Sequence, residues 1–218
     1  MGLPAFFLSQ LMVVGVASVF HRKLEDPLVI VGSQAVAYAA LFAILATILR
    51  VQYSAPFWRS LGWKPGKIPG GAAVMLGVLL AFGIAVLGGL LHLPDINSPL
   101  DRMLKTNYGI IVLWIFGTTV GPIAEELAFR GFLQPLLVRT LGAPIAIVLT
   151  ALPFGMLHFM QNAGSWSRVA LIALAGIGFG VIRHVAGSTQ TSILAHSAYN
   201  FTLFAAYFWG RNQVPSHG

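Results

Sequence analysis

Long apolar stretches alternate with short polar stretches along the whole chain. Several of them approach 20 residues, about the length that a helix needs to cross the hydrocarbon core of a bilayer. The two-residue alternation of a transmembrane β-barrel is not visible. The pattern therefore predicts an all-α fold, a polytopic transmembrane helical bundle of about seven spans. We place these spans at residues 3–20, 28–49, 72–92, 108–140, 142–159, 167–184 and 190–209.

Two of these spans contain residues that predict how their helices pack. Residues 108–140 are too many for one straight crossing, and Gly121-Pro122 predicts a bend, because proline removes a backbone hydrogen bond that neighbouring helices can replace. In the sixth span, Gly176 and Gly180 lie four residues apart. This spacing predicts that another helix approaches closely there.

The composition agrees with a membrane protein. Of the 218 residues, 57% are hydrophobic and 9% are charged, whereas soluble domains carry about 25% charged residues. No linker divides the chain, so residues 1–218 are expected to form a single integral membrane domain in contact with the lipid bilayer. The net charge of +7 is spread over loops and termini, which fits positive-inside topology better than a nucleic-acid interface. Cysteine is absent, which excludes disulfides and a cysteine nucleophile.

Two of the six acidic residues, Glu125 and Glu126, lie inside an apolar span. An ionised group at the bilayer centre costs at least about 2.5–3.5 kcal/mol, so such groups usually have a function. Glu126 and Arg130 share a helix face and are expected to form a structural ion pair. Glu125 points about 100° away around the helix, which predicts a carboxylate that faces a cavity and transfers protons. The alternative is that both acids only pair within the bundle.

Two further motifs carry polar side chains on predicted spans. His158 follows Phe154 by one helical turn, and His196 precedes Asn200 by one turn. Taken singly, each motif could serve helix packing. Together with Glu125 they suit hydrolysis of an amide bond. Glu125 and His158 would activate a water, while His196 and Asn200 would donate hydrogen bonds to the developing oxyanion.

The three motifs resemble those of a known family. The stretches EELAFR, FGMLH and HSAYN match Glu-Glu-x-x-x-Arg, Phe-x-x-x-His and His-x-x-x-Asn in the order found in the CPBP intramembrane proteases. That family includes the CAAX prenyl endopeptidases of Rce1 type and the bacterial Abi proteins. The resemblance covers residues 108–204, which would be the protease core. It implies an all-helical membrane endopeptidase with its active site in an intramembrane cavity.

The resemblance also implies a role for each motif residue. Glu125 and His158 would hold the water, and His196 and Asn200 would hold the oxyanion. The supporting residues would be Glu126, Arg130 and Phe154. The substrate would be a membrane-anchored protein or peptide. The short chain and the simple helix count favour a prokaryotic plasma membrane as the location.

The metal requirement is open at this level. Glu125, His158 and His196 are an alternative zinc site with two histidines, one carboxylate and an open fourth position. We favour the mechanism without a cofactor, because zinc would remove His196 from the oxyanion and leave Asn200 unexplained.

Two other classes of function compete with the protease. Intramembrane Glu, His and Arg side chains also form the proton relays of transporters, but no inverted repeat relates the two halves of the chain. The other class is a non-catalytic immunity or scaffold protein that binds a membrane peptide. The complete set of motifs argues against that class.

Overall fold

The structure, a computed structural model, describes residues 26–93 and 98–211, without the side chains of residues 99, 100 and 211. The predicted span at 3–20 lies outside the described residues. Every other predicted span is helical, and the described residues contain no strand. The helices are α1 Pro27–Val51, α2 Phe57–Ser60, α3 Gly70–Leu90, α4 Pro99–Met103, α5 Asn107–Thr118, α6 Val120–Glu126, α7 Gln134–Leu141, α8 Ala143–Leu157, α9 Trp166–Ala186 and α10 Thr189–Arg211, with a π-helical segment, Leu127–Leu133, between α6 and α7.

Four stretches among the described residues are long and apolar enough to cross a membrane. They are Pro27–Tyr53, Gly70–Leu90, Asn107–Leu141 and Trp166–Ala186. Helix α8 is apolar but has 15 residues, and α10 has 23 residues but is polar in its first half. The all-α membrane fold is therefore confirmed, while the number of about seven spans stays a prediction.

The long fourth segment breaks near Gly121-Pro122, as predicted, and the break lies at Thr119. Helix α5 ends at Thr118, Thr119 has φ −124° and ψ −83°, and α6 begins at Val120. Pro122 consequently lies in the first turn of α6. The backbone N–H groups of a first turn have no partner within the helix, so the missing N–H of proline costs nothing there.

Helix α10 lies at the centre of the bundle and packs against α3, α5, α6 and α9. Its approach to α3 is so close that a Cβ atom on Gly77 would lie 2.0 Å from the carbonyl oxygen of Ala195. The largest hydrophobic cluster connects α3, α8, α9 and α10 and contains the buried residues Ala81, Ile84, Phe154, Ala175, Phe179 and Tyr199. This packing holds α10, with His196 and Asn200, in a defined position.

The glycines of the sixth predicted span meet a neighbouring helix, as the spacing predicts. A Cβ atom on Gly176 would lie 2.8 Å from Cδ1 of Phe154, and one on Gly180 would lie 3.0 Å from Cγ2 of Ile147. Phe154 and Ile147 both belong to α8. The glycines of α9 therefore let α8 approach closely.

Helix α1 has a more peripheral position. It packs against α5 and α2, and Leu45 in its second half joins Leu61 and Leu127 in a second hydrophobic cluster. Its first half faces the cavity described next.

Candidate active site

A cavity of about 410 Å³ lies between α1, α5, α6, α8, α9 and α10. The predicted catalytic residues Glu125, His158, His196 and Asn200 all line it, together with Phe154. Other wall residues are mostly apolar or aromatic and include Ile30, Leu113, Phe116, Phe179, Leu203 and Phe204. The structure thus brings the polar residues of three separate motifs to one apolar cavity.

Glu126 and Arg130 form an ion pair next to the cavity. Nη1 of Arg130 donates to Oε1 of Glu126 at 2.8 Å, and neither side chain is exposed. Nη2 of Arg130 donates to the carbonyl oxygen of Gly176 at 2.7 Å. The guanidinium carbon lies 4.3 Å from the ring centroid of Phe154 and 5.5 Å from that of Phe179. The buried cation is therefore compensated by a carboxylate, a carbonyl and two aromatic rings.

Gln134, which was not among the predicted residues, repeats this contact one turn further on. Its Nε2 donates to the carbonyl oxygen of Gly180 at 3.0 Å. Arg130 and Gln134 thus bind two carbonyls on α9 that are also four residues apart. Arg130 and Gln134 have the same four-residue spacing as Gly176 and Gly180, and this match is a sequence signal that could have predicted the contact.

Glu125 has a hydrogen-bond partner that was not predicted. Its Oε1 accepts from the hydroxyl of Tyr38 at 2.9 Å, and that hydroxyl accepts from Nε2 of Gln34 at 2.9 Å. Its Oε2 lies 3.9 Å from Nε2 of His196. Gln34 and Tyr38 are polar residues four apart in an apolar span, which is a sequence signal that could have identified them.

His196 connects the two glutamates. Its Nδ1 donates to Oε1 of Glu126 at 3.1 Å, and its ring stacks on Phe179 with centroids 4.4 Å apart. Because Nδ1–H is engaged, Nε2 carries a hydrogen only in the imidazolium form. Ionised Glu125 and Glu126 with Arg130 sum to one negative charge, which an imidazolium at His196 would neutralise. Nε2–H would then be a charged donor at the cavity wall.

His158 lies at the end of α8 with one nitrogen engaged. Its Nδ1 donates to the carbonyl oxygen of Phe154 at 3.0 Å, and its own carbonyl accepts from Nδ2 of Asn162 at 2.9 Å. In the neutral ring, this leaves Nε2 as an acceptor. The predicted helical spacing of Phe154 and His158 therefore has a physical role, since the Phe154 carbonyl orients the imidazole.

Asn200 makes a different contact from the one expected of an oxyanion donor. Its Nδ2 donates to the carbonyl oxygen of Gly117 at 2.6 Å, two residues before the break at Thr119. It satisfies a carbonyl near the end of α5, which is helix–helix hydrogen bonding. The second hydrogen on Nδ2 is the only one left for a ligand. The oxyanion role of Asn200 stays a prediction.

The residues proposed for zinc fit that ion only in part. Glu125, His158 and His196 line the same cavity, and each histidine has Nδ1 fixed by an oxygen, as metal-binding histidines usually do. Within the described part of the chain, however, no three His, Cys, Asp or Glu side chains are arranged so that they could hold a metal ion. We therefore derive no step of the reaction through a metal.

Residues 107–202 match the family model described as Type II CAAX prenyl endopeptidase Rce1-like. The match confirms the resemblance drawn from the three motifs and contains all of their residues. It does not include α1, which carries Gln34 and Tyr38. No curated protein and no solved structure matches the chain. Over residues 107–202 the chain is therefore similar to CAAX-type intramembrane proteases, and its long apolar helices are those of an integral membrane protein.

Proposed function

Since residues 107–202 match the Rce1-like family, we propose that this protein is an intramembrane endopeptidase that hydrolyses a peptide bond of a membrane-anchored protein or peptide. One observation carries the proposal. A carboxylate and two imidazoles, those of Glu125, His158 and His196, line a single apolar cavity. Water held there is surrounded by little other polar surface, so fixed charges act on it more strongly than in bulk solvent.

The reaction begins with a water held between Glu125 and His158. Oε2 of Glu125 removes a proton from the water as the water oxygen attacks the carbonyl carbon of the substrate, and Nε2 of His158 accepts a hydrogen bond from the same water. The carbonyl π bond breaks and its electrons form the oxyanion. The oxyanion electrons then re-form the C=O bond as the C–N bond breaks, and Glu125 passes the proton to the leaving amine, which regenerates its carboxylate and releases a new carboxyl end.

The oxyanion receives hydrogen bonds from His196 and Asn200. Nε2–H of an imidazolium at His196 is the stronger donor, because Glu126 on its other side stabilises the positive charge. Asn200 donates through the second hydrogen of Nδ2. Arg130 holds Glu126 in place and so acts on the site through that residue.

The cavity wall favours an apolar substrate segment. Among the described residues, no lysine or arginine lines the cavity, and apolar side chains predominate, with phenylalanine the most frequent. A membrane-anchored peptide entering from the bilayer would present apolar side chains to this wall without losing hydration. The proposed location is a prokaryotic plasma membrane.

We favour a mechanism without a metal. Zinc at Nε2 of His196 would remove that side chain from the oxyanion, where the proposed reaction needs a hydrogen-bond donor. The competing zinc mechanism uses the same residues but differs in one measurable respect, because a chelator would abolish its cleavage activity.

Cleavage in liposomes tests the proposal. Purified protein would be incubated with a library of membrane-anchored peptides, with and without a zinc chelator, and beside His158→Ala. We expect cleavage by the wild type that the chelator leaves unchanged, and a loss of roughly 100-fold or more in His158→Ala. Loss on chelation, restored by zinc, would establish the metal mechanism instead. Equal product with wild type and His158→Ala would contradict the proposed site, and the absence of cleavage would favour the scaffold protein.

A further inference from the structure

Helix α1 lies outside the family match, yet one of its side chains binds the residue predicted to be the base. The hydroxyl of Tyr38 donates to Oε1 of Glu125 at 2.9 Å. Nε2 of Gln34, one turn earlier on α1, donates to the same hydroxyl at 2.9 Å. The hydroxyl thus accepts one hydrogen bond from Gln34 and donates its hydrogen to the carboxylate.

The ring of Tyr38 is held in place by the helix that precedes Glu125. It lies parallel to the ring of Phe116, with an interplanar angle of 3° and centroids 6.4 Å apart. Phe116 belongs to α5, close to the break that leads into α6. The direction of the hydroxyl is therefore defined by packing against the same segment that carries the carboxylate.

This contact engages one of the two carboxylate oxygens of Glu125. Oε1 is occupied by Tyr38, while Oε2 lies 3.9 Å from Nε2 of His196. A terminal carboxylate otherwise rotates through a broad torsional range. The hydrogen bond restricts that rotation and leaves Oε2 as the oxygen that accepts the proton of the water.

We propose that Tyr38 is a positioning residue of the hydrolytic site, which orients the Glu125 carboxylate from a helix outside the family match. The proposal rests on the proposed function. Tyr38 acts through Glu125, so its loss affects the chemical step more than the binding of substrate.

A second interpretation of the Tyr38 contact predicts the opposite change in cleavage rate. If the hydrogen bond served only to keep the peripheral helix α1 closed over the cavity, entry of the substrate would break this bond. Removing the hydroxyl would then ease entry and raise the cleavage rate. A positioning residue gives a lower rate, so the sign of the change separates the two interpretations.

The kinetic test compares Tyr38→Phe with the matched variant Tyr53→Phe. Tyr38→Phe removes one oxygen and keeps the ring against Phe116, while Tyr53 is exposed just after α1. We expect kcat of Tyr38→Phe to fall roughly 10- to 100-fold, as for loss of a hydrogen bond to a charged group, with KM close to that of the wild type. Tyr53→Phe should keep both constants. An unchanged or raised kcat in Tyr38→Phe would overturn the proposal.

A second measurement does not depend on activity. The chain contains three glutamates, Glu25, Glu125 and Glu126, so protein labelled with carboxyl-¹³C glutamate gives few NMR signals, and Glu125→Gln assigns one of them. We expect Tyr38→Phe to shift the Glu125 signal and Tyr53→Phe to leave it in place. A Glu125 signal that is insensitive to Tyr38→Phe would overturn the contact.

The two measurements separate failure of the inference from failure of the proposed function. Cleavage by the wild type together with normal cleavage by Tyr38→Phe overturns only the role of Tyr38. A wild type that cleaves nothing overturns the hydrolytic role of both residues. The ¹³C signal would still establish whether Tyr38 holds Glu125.

Discussion

Asn200 on α10 donates a hydrogen bond of 2.6 Å to the carbonyl of Gly117, where α5 is about to break. The contact gives Asn200 a structural role, and the proposed reaction gives it a second one at the oxyanion. The two roles affect different measurable quantities, because the first contributes to folding and the second to the transition state.

Asn200→Ala should therefore reduce both stability and rate. The Gly117 carbonyl loses its partner, so the free energy of unfolding should fall by about 1 kcal/mol. Loss of an oxyanion donor should lower kcat by about 100-fold or more. Thermal unfolding in detergent and cleavage in liposomes measure the two effects. Thr202→Ala is the control on the same helix, since among the described residues Thr202 bonds the Ala198 carbonyl of its own helix. A lower stability with an unchanged kcat would contradict the oxyanion role and show that Asn200 has a structural role only.

Glu126→Gln should destabilise the protein severely. It leaves the charge of Arg130 buried without a carboxylate, which typically costs 3–5 kcal/mol. The matched control is Arg168→Gln, which breaks a 3.6 Å pair with Asp101 between partly exposed side chains. Such a pair contributes about 0–1 kcal/mol. Abundance in membranes and the unfolding temperature should fall in Glu126→Gln only, and similar losses in both variants would contradict the structural role of the buried pair.

Gly176→Ala should loosen the packing of α8 on α9. The added Cβ would lie 2.8 Å from the Phe154 ring and 3.1 Å from Nη2 of Arg130, and overpacking of this kind costs about 1–3 kcal/mol. Gly83→Ala is the control, because a Cβ atom on Gly83 in α3 would meet no side chain within 4 Å in the described part of the chain. The unfolding temperature should fall in Gly176→Ala and stay or rise in Gly83→Ala. A tolerated Gly176→Ala would show that α9 can shift away from Phe154.

Local helical spacing predicted much of the site. Residues four apart lie on one helix face whatever the tertiary fold, so the pairing of Glu126 with Arg130 and the shared faces of the two histidine motifs followed from the sequence. The bend predicted near Gly121-Pro122 lies at Thr119, just before that pair, because proline is tolerated in a first helical turn.

Contacts between distant segments could not be predicted in this way. Tyr38 and Glu125 are 87 residues apart, and His196 and Glu126 are 70 apart. Their meeting depends on how whole helices pack. The π-helical segment Leu127–Leu133 was not predicted either. Such segments often occur at functional sites, but no composition signal separates this one from the α-helix around it.

The most direct test of the account is the rate at which Glu125→Gln cleaves a peptide that the wild type cleaves, measured in the same liposomes. Glutamine keeps the shape of the side chain and still accepts a hydrogen bond from Tyr38, so the unfolding temperature should stay close to that of the wild type. We predict a loss of cleavage of at least about 100-fold, because the amide cannot take a proton from water. Cleavage at the wild-type rate by a folded Glu125→Gln protein would contradict the assignment of Glu125 as the base.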